Sequence, residues 1–154
     1  GVDRKEYLKN KFGGEKNANF IYENINIAGK KVNIQFNFDS IKIMPNSINI
    51  MYLITLIRDY KVASKLIDQL FKSFFENGEN IGDKKYLLKY ASKYIEKFDL
   101  NLFDNAKEKN YLLKADREFK INGMSGVPCI IVDKKYYISG AVDTDKLENL
   151  FSKM

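Results

Sequence analysis

Cys129 is the only thiol in the 154-residue chain, and there is no histidine to partner it. Those two counts remove most nucleophilic chemistry. A dithiol cycle needs an attacking thiolate and a second sulfur to resolve the mixed disulfide, so a lone cysteine cannot run one. It also excludes an internal disulfide, a Cys-x-x-Cys pair within this chain and a Cys-rich zinc site. Without an imidazole there is no Ser–His or Cys–His pair and no histidine base. Chemistry here would rest on carboxylates, lysines, tyrosines or a partner's groups. No catalytic residue, metal ligand or cofactor is assigned on these grounds, and Cys129 itself reads as an inert core residue.

The stretch that must hold this cysteine runs from Met124 to Gly140. It opens with Gly126-Val127-Pro128. The apolar run Cys129 to Val132 follows, then a polar break at Asp133 and Lys134, then Tyr136 to Ser139, closed by Gly140. Strand, tight loop, strand and glycine predict a β-hairpin that feeds a C-terminal helix. The first strand does not alternate with polar residues. A strand apolar on both faces expects cover on both and a neighbour on each edge, and the rest of the chain offers too few strands to supply them.

Composition sets wider bounds. The length fits one domain, or one compact domain with an insertion, and an apolar fraction of 45% is enough for an ordinary core. Net charge is +6, but the lysines are spread singly or in pairs (Lys30-Lys31, Lys84-Lys85, Lys134-Lys135) among acids. A nucleic-acid surface would want a basic stripe with arginine forks. Only Arg4, Arg58 and Arg117 are present, so no nucleic-acid partner is expected. No apolar run reaches membrane-spanning length and no signal peptide is visible; the chain is read as cytoplasmic, with no membrane partner.

In order along the chain, Val2 to Phe12 reads as a short helix with Asp3 and Glu6 at capping-box spacing, stopped by Gly13-Gly14. A second helix is expected over Glu15 to Ala28, with Phe20, Ile21, Ile25 and Ala28 on one side and Gly29 at its end. Asn33 to Phe38 alternates polar and apolar, as a half-buried extended piece does. Ser47, with Asn46, should cap a third helix to about Tyr60, whose apolar residues nearly encircle it and so predict burial; Met51 and Tyr52 fall within that packing. A fourth helix, about Lys61 to Glu76, puts Ala63, Leu66, Ile67, Leu70, Phe71, Phe74 and Phe75 on one face. Asp83 caps a fifth, with Leu87, Leu88, Ala91, Tyr94, Ile95 and Phe98 inward. Asp104 caps a sixth from about Asn105 to Lys120. After the hairpin, Asp143 or Thr144 starts a last helix with Leu147, Leu150 and Phe151 facing in. The division expected is a mostly helical block over residues 1–122 and a hairpin-plus-helix unit over 123–154.

Gly126-Val127-Pro128, then Val132, then Tyr137-Ile138-Ser139-Gly140-Ala141, resemble the end of the DsbA-like thioredoxin family, with its FrnE-like and 2-hydroxychromene-2-carboxylate isomerase branches the best fit. Gly1 to Leu8 with Lys11-Phe12-Gly13, Pro45-Asn46-Ser47, and Phe71 to Asp83 resemble further family segments in the same order. The implied fold class is α/β, mostly α: an incomplete thioredoxin-like fold with a helical insertion and a C-terminal β-hairpin plus helix. The family begins with a strand, a Cys-x-x-Cys at a helix N-terminus, that helix and a second strand; none of these is in this sequence, and the chain is expected to begin after them. Where the family continues its Pro-Asn-Thr helix with Ala-His-Arg, this sequence has Ile50-Met51-Tyr52, so no histidine stands there.

What the resemblance implies for sites is a cis Val127–Pro128 bond, and a Val127 backbone that pairs with a substrate peptide like an added strand. Val127 and Pro128 are thus the expected substrate-binding residues. The residues alone would make Pro128 an ordinary strand-entry proline. Three readings of function follow. The chain is part of a DsbA/FrnE-like thiol–disulfide oxidoreductase acting on a peptide or protein thiol, supplying the proline loop and helical lid and inactive alone. Or it is part of an isomerase or kappa-class glutathione-transferase-like enzyme, in which glutathione assists the chemistry. Or it is a non-catalytic interaction module. In the last reading Cys129 to Val132 pairs across a homodimer through the exposed strand edge, or is covered by a rearranged helix.

Overall fold

The computed structural model describes residues 1–96, 98–124 and 126–153. Most of the chain is helical, with two small antiparallel sheets, an α/β fold that is mostly α. The chain divides into two compact units, residues 1–112 and 113–154.

In the first unit a two-residue strand, β1 (Val2–Asp3), pairs antiparallel with β2 (Ile43–Met44). Strands this short carry no readable period, and the sequence reading had neither. Asp3 ends β1 and starts α1 (Arg4–Phe12): its carboxylate accepts from the N–H groups of Lys5 and Glu6 at 2.9 and 3.1 Å, which satisfies two of the orphan donors of the first turn. Gly13, at φ +76°, closes the helix in the left-handed conformation.

Helix α2 (Glu15–Lys31) runs past the expected stop. Gly29 lies inside it and serves close approach instead: a Cβ there would stand 2.7 Å from the Phe36 ring and 2.8 Å from the Ile34 carbonyl. Its own carbonyl accepts from the N–H groups of Val32 and Ile34. The segment that follows joins no ladder. Phe36 and Phe38 fold back as a stack: Phe38 lies on Tyr22 with ring centroids 4.1 Å apart, Phe36 lies 5.3 Å from Phe38, and Phe75 meets both edge-on. The Arg4 guanidinium sits over the Tyr22 ring at 5.5 Å. Arg4 is buried, and its Nε and Nη2 have no hydrogen-bond partner, so the aromatic face is the contact that compensates its charge.

Helix α3 (Ile48–Leu56) is shorter than expected. Ser47 makes no capping bond; the Asn46 side chain accepts from the Ile48 N–H instead. The early end has a local cause. Asp59 accepts from the N–H groups of Lys61 and Val62 and starts α4 (Tyr60–Phe75), so the chain turns extended at Ile57. Tyr52 and Leu53 of α3 are buried, whereas Met51 is exposed, so the helix is not covered all round. Leu66, Leu70 and Phe74 of α4 enter the core; Phe71 stays outside it. Helix α5 (Lys84–Ala91) starts at Asp83, which accepts from the Tyr86 N–H, and brings Leu87 and Ala91 inward, followed by Phe98 and the 3₁₀ turn Leu100–Asp104 with Phe103. Asp104 does not cap the next helix. It pairs with Lys84, and the neighbouring Asn105 accepts from the Glu108 N–H at the start of α6 (Ala106–Ile121).

The second unit holds the hairpin β3 (Cys129–Val132) and β4 (Tyr136–Ser139), then α7 (Thr144–Phe151). Asp133 and Lys134 both take positive φ, 52° and 58°, and the Lys135 N–H bonds the Val132 carbonyl at 3.1 Å, the primed turn that matches the twist of a hairpin. Among the described residues none after Phe103 is fully buried. Leu147 and Leu150 are half-buried and Phe151 is exposed, so the inward face expected for the last helix is only partly covered.

Candidate functional site: the proline loop and the open edge of β3

The register of the hairpin decides which backbone groups are free. Cys129 faces Ser139, Ile130 faces Ile138, Ile131 faces Tyr137 and Val132 faces Tyr136. The Gly140 N–H continues this register by donating to the Pro128 carbonyl at 2.8 Å. Hydrogen-bonded and non-bonded pairs alternate along an antiparallel ladder. Pro128, Ile130 and Val132 therefore turn their backbone groups toward β4, while Cys129 and Ile131 turn theirs the other way. On that side β3 pairs with no strand among the described residues. The N–H and C=O groups of Cys129 and Ile131 form a short open edge.

The loop that opens this edge is exposed. Val127 is 84% exposed, and the Val127–Pro128 bond is cis. Gly126 passes close to β4: a Cβ there would lie 3.1 Å from the Ser139 Oγ. Pro128 has no N–H to donate, so its pairing with Gly140 keeps only the one bond from the Gly140 N–H to the Pro128 carbonyl. Cys129, expected in a core, is half-buried on the strand. The two expected binding residues, Val127 and Pro128, thus stand at the head of an unpaired strand edge, where a peptide backbone could add. Asn46 and Tyr52 are both structural: Asn46 caps α3, and the Tyr52 hydroxyl accepts a long, 3.5 Å bond from the Asn105 side chain. Among the described residues no group of side chains could hold a metal ion, and no helix is long and apolar enough to cross a membrane.

A hydroxyl cluster escaped the sequence reading, because only the packing brings it together. The Tyr86 hydroxyl is sealed from solvent, and its ring lies 4.9 Å from that of Tyr90. It makes no hydrogen bond of full geometry, although the Ser73 and Tyr90 hydroxyls stand close enough to influence it. Burial pushes its pKa up to about 12, with Tyr90 and Glu79 adding to the rise and Ser73 opposing it. Tyr90 is held below its ordinary value, first by the polar contact with the Tyr86 hydroxyl. An acid whose pKa folding has raised keeps its proton where the unfolded chain loses it. The stability tied to neutral Tyr86 is complete below the unfolded value near 10 and is lost as pH rises toward about 12. Tyr86→Phe is therefore expected to flatten the fall of the urea midpoint between those two pH values, and to remove from an ultraviolet titration the phenol that ionises at about 12.

A search of curated proteins finds no match for this chain. A family comparison does: the DSBA-like thioredoxin domain is matched over residues 5–152. That span runs from the capped first helix through the core helices to the proline loop, the hairpin and α7, and on it the chain belongs to the DSBA-like thioredoxin domain family.

Proposed function

We propose that the chain serves a protein thiol–disulfide oxidoreductase of the FrnE-like branch as its substrate-binding part. In this reading an extended peptide lies along β3 and bonds the backbone groups of Val127, Cys129 and Ile131, and the helical unit supplies the lid. The observation that carries the reading is the open edge of β3 headed by an exposed proline loop. Backbone pairing gives affinity without sequence preference, which suits an enzyme that meets many unfolded thiols.

The redox step itself needs two sulfurs, and this chain has one. The chain alone is expected to leave the dithiothreitol-driven reduction of insulin at its uncatalysed rate. Turnover above that rate would overturn the proposal. The isomerase and glutathione-transferase reading shares the same resemblance, but no residue described here favours it.

A further inference from the structure

We propose that the face made by α2 and α4 of the first unit is a two-fold interface between two copies of this chain. The sequence puts Phe20, Ile21, Ile25 and Ala28 on one side of α2, but that side is not covered. Phe20 is 72% exposed, and Ile21, Ile25 and Val32 are exposed beside it. This side of α2 and the segment after it line a groove of about 630 Å³. A second groove of about 440 Å³, lined by Phe71 and Phe75 of α4, shares Ile34 and Phe36 with the first. The two form one continuous apolar surface.

Its size fits a second copy. Phe71 is 57% exposed, and at about 200 Å² for a whole aromatic side chain Phe20 and Phe71 alone present roughly 250 Å². With Ile21, Ile25, Val32 and Ile34 the apolar centre comes to roughly 500 Å², near the upper end of what monomers leave bare. A polar rim brings such a centre to the ~800 Å² per partner of a stable interface.

Charge complementarity points to an isologous arrangement. Asp68 and Lys72 are exposed one turn apart on α4, on the same wall as Phe71. A two-fold axis crossing between them sets each carboxylate against the other copy's ammonium, twice per dimer, around the two Phe71 rings.

The test is sedimentation equilibrium of the whole chain with charge exchange. The wild type is expected to sediment as a dimer at micromolar concentration. Asp68→Lys and Lys72→Asp each create two like-charge contacts and should weaken dimerisation about tenfold or more. The double variant D68K/K72D should restore it, a rescue that a folding defect would not produce. Phe71→Glu should give a monomer with an unchanged circular dichroism spectrum, and Ile131→Pro, on the β3 edge, should leave the dimer intact. A wild type that stays monomeric to 100-fold higher concentration overturns the proposal. So does a dimer that ignores the α4 variants but is lost with Ile131→Pro.

Discussion

Replacing Phe103 with alanine is expected to cost about 3–5 kcal/mol of stability. Phe103 is 0% exposed and is the largest side chain wholly inside the protein. It projects from the 3₁₀ turn Leu100–Asp104, which packs on α3 and α5, and its ring meets that of Phe98 edge-on at 5.2 Å. Removing it forfeits the transfer free energy of the ring and leaves a cavity. The neighbours that would have to collapse into that cavity are held by other helices, so relaxation is partial. Domains of this size have a total stability of about 5–15 kcal/mol, so the variant should lose a large share of it. Urea unfolding measures this directly, with a fall in midpoint of about 1–3 M at ordinary slopes. A midpoint within 0.3 M of wild type, an order-of-magnitude bound on the same slope, would mean that Phe103 is not the centre of this core.

The second large effect is a backbone one. Gly78→Ala is expected to cost several kcal/mol, and Gly123→Ala only about 1 kcal/mol. Both glycines hold positive φ, +71° and +80°, so both substitutions incur the left-handed penalty. They differ in space. A Cβ on Gly78 would meet the Ser40 carbonyl oxygen at 2.5 Å and also the Ser40 side chain; a Cβ on Gly123 meets nothing within 4 Å. The obstacle at Gly78 is main chain and cannot swing away, so an overpacking cost of about 1–3 kcal/mol is added there. Gly78 also ties the end of α4, its N–H bonding the Phe74 carbonyl at 3.1 Å. Comparing the two melting curves isolates the clash from the dihedral. Equal losses at the two sites would contradict this packing of Ser40 on Gly78.

The elements that were legible in the sequence are those with one dominant signal. The bounds of both hairpin strands were read to the residue, because an apolar run, a polar break and a second run mark them. Asp3 was found as a cap by its capping-box spacing to Glu6, Asp83 because it precedes an apolar period, and the apolar face of α4 because its period is clean. The misses have physical causes. Asp104 and Asn105 are adjacent and both fit a cap; the ion pair with Lys84 draws Asp104 away, which only the tertiary structure shows. Gly29 looked like a stop because glycine usually is one, yet here it makes room for Phe36. Ser47 looked like a cap, but Asn46 reached the Ile48 N–H first. The amphipathic period of α2 was read correctly, but amphipathicity does not say that the apolar side is covered. In the candidate site, the resemblance picked out Val127 and Pro128, whereas the free edge at Cys129 and Ile131 needed the observed hydrogen-bond parity.

That edge can be watched one amide at a time. Hydrogen exchange followed by nuclear magnetic resonance, with and without an extended thiol-bearing peptide, reads the N–H groups of Cys129 and Ile131 separately from that of Ile130, which already bonds β4. The account predicts that the peptide slows exchange at Cys129 and Ile131 by about tenfold or more, and leaves Ile130 unchanged. Protection of Ile130 alone, or no change at Cys129 and Ile131 with saturating peptide, would contradict the assignment of β3 as the peptide-binding edge.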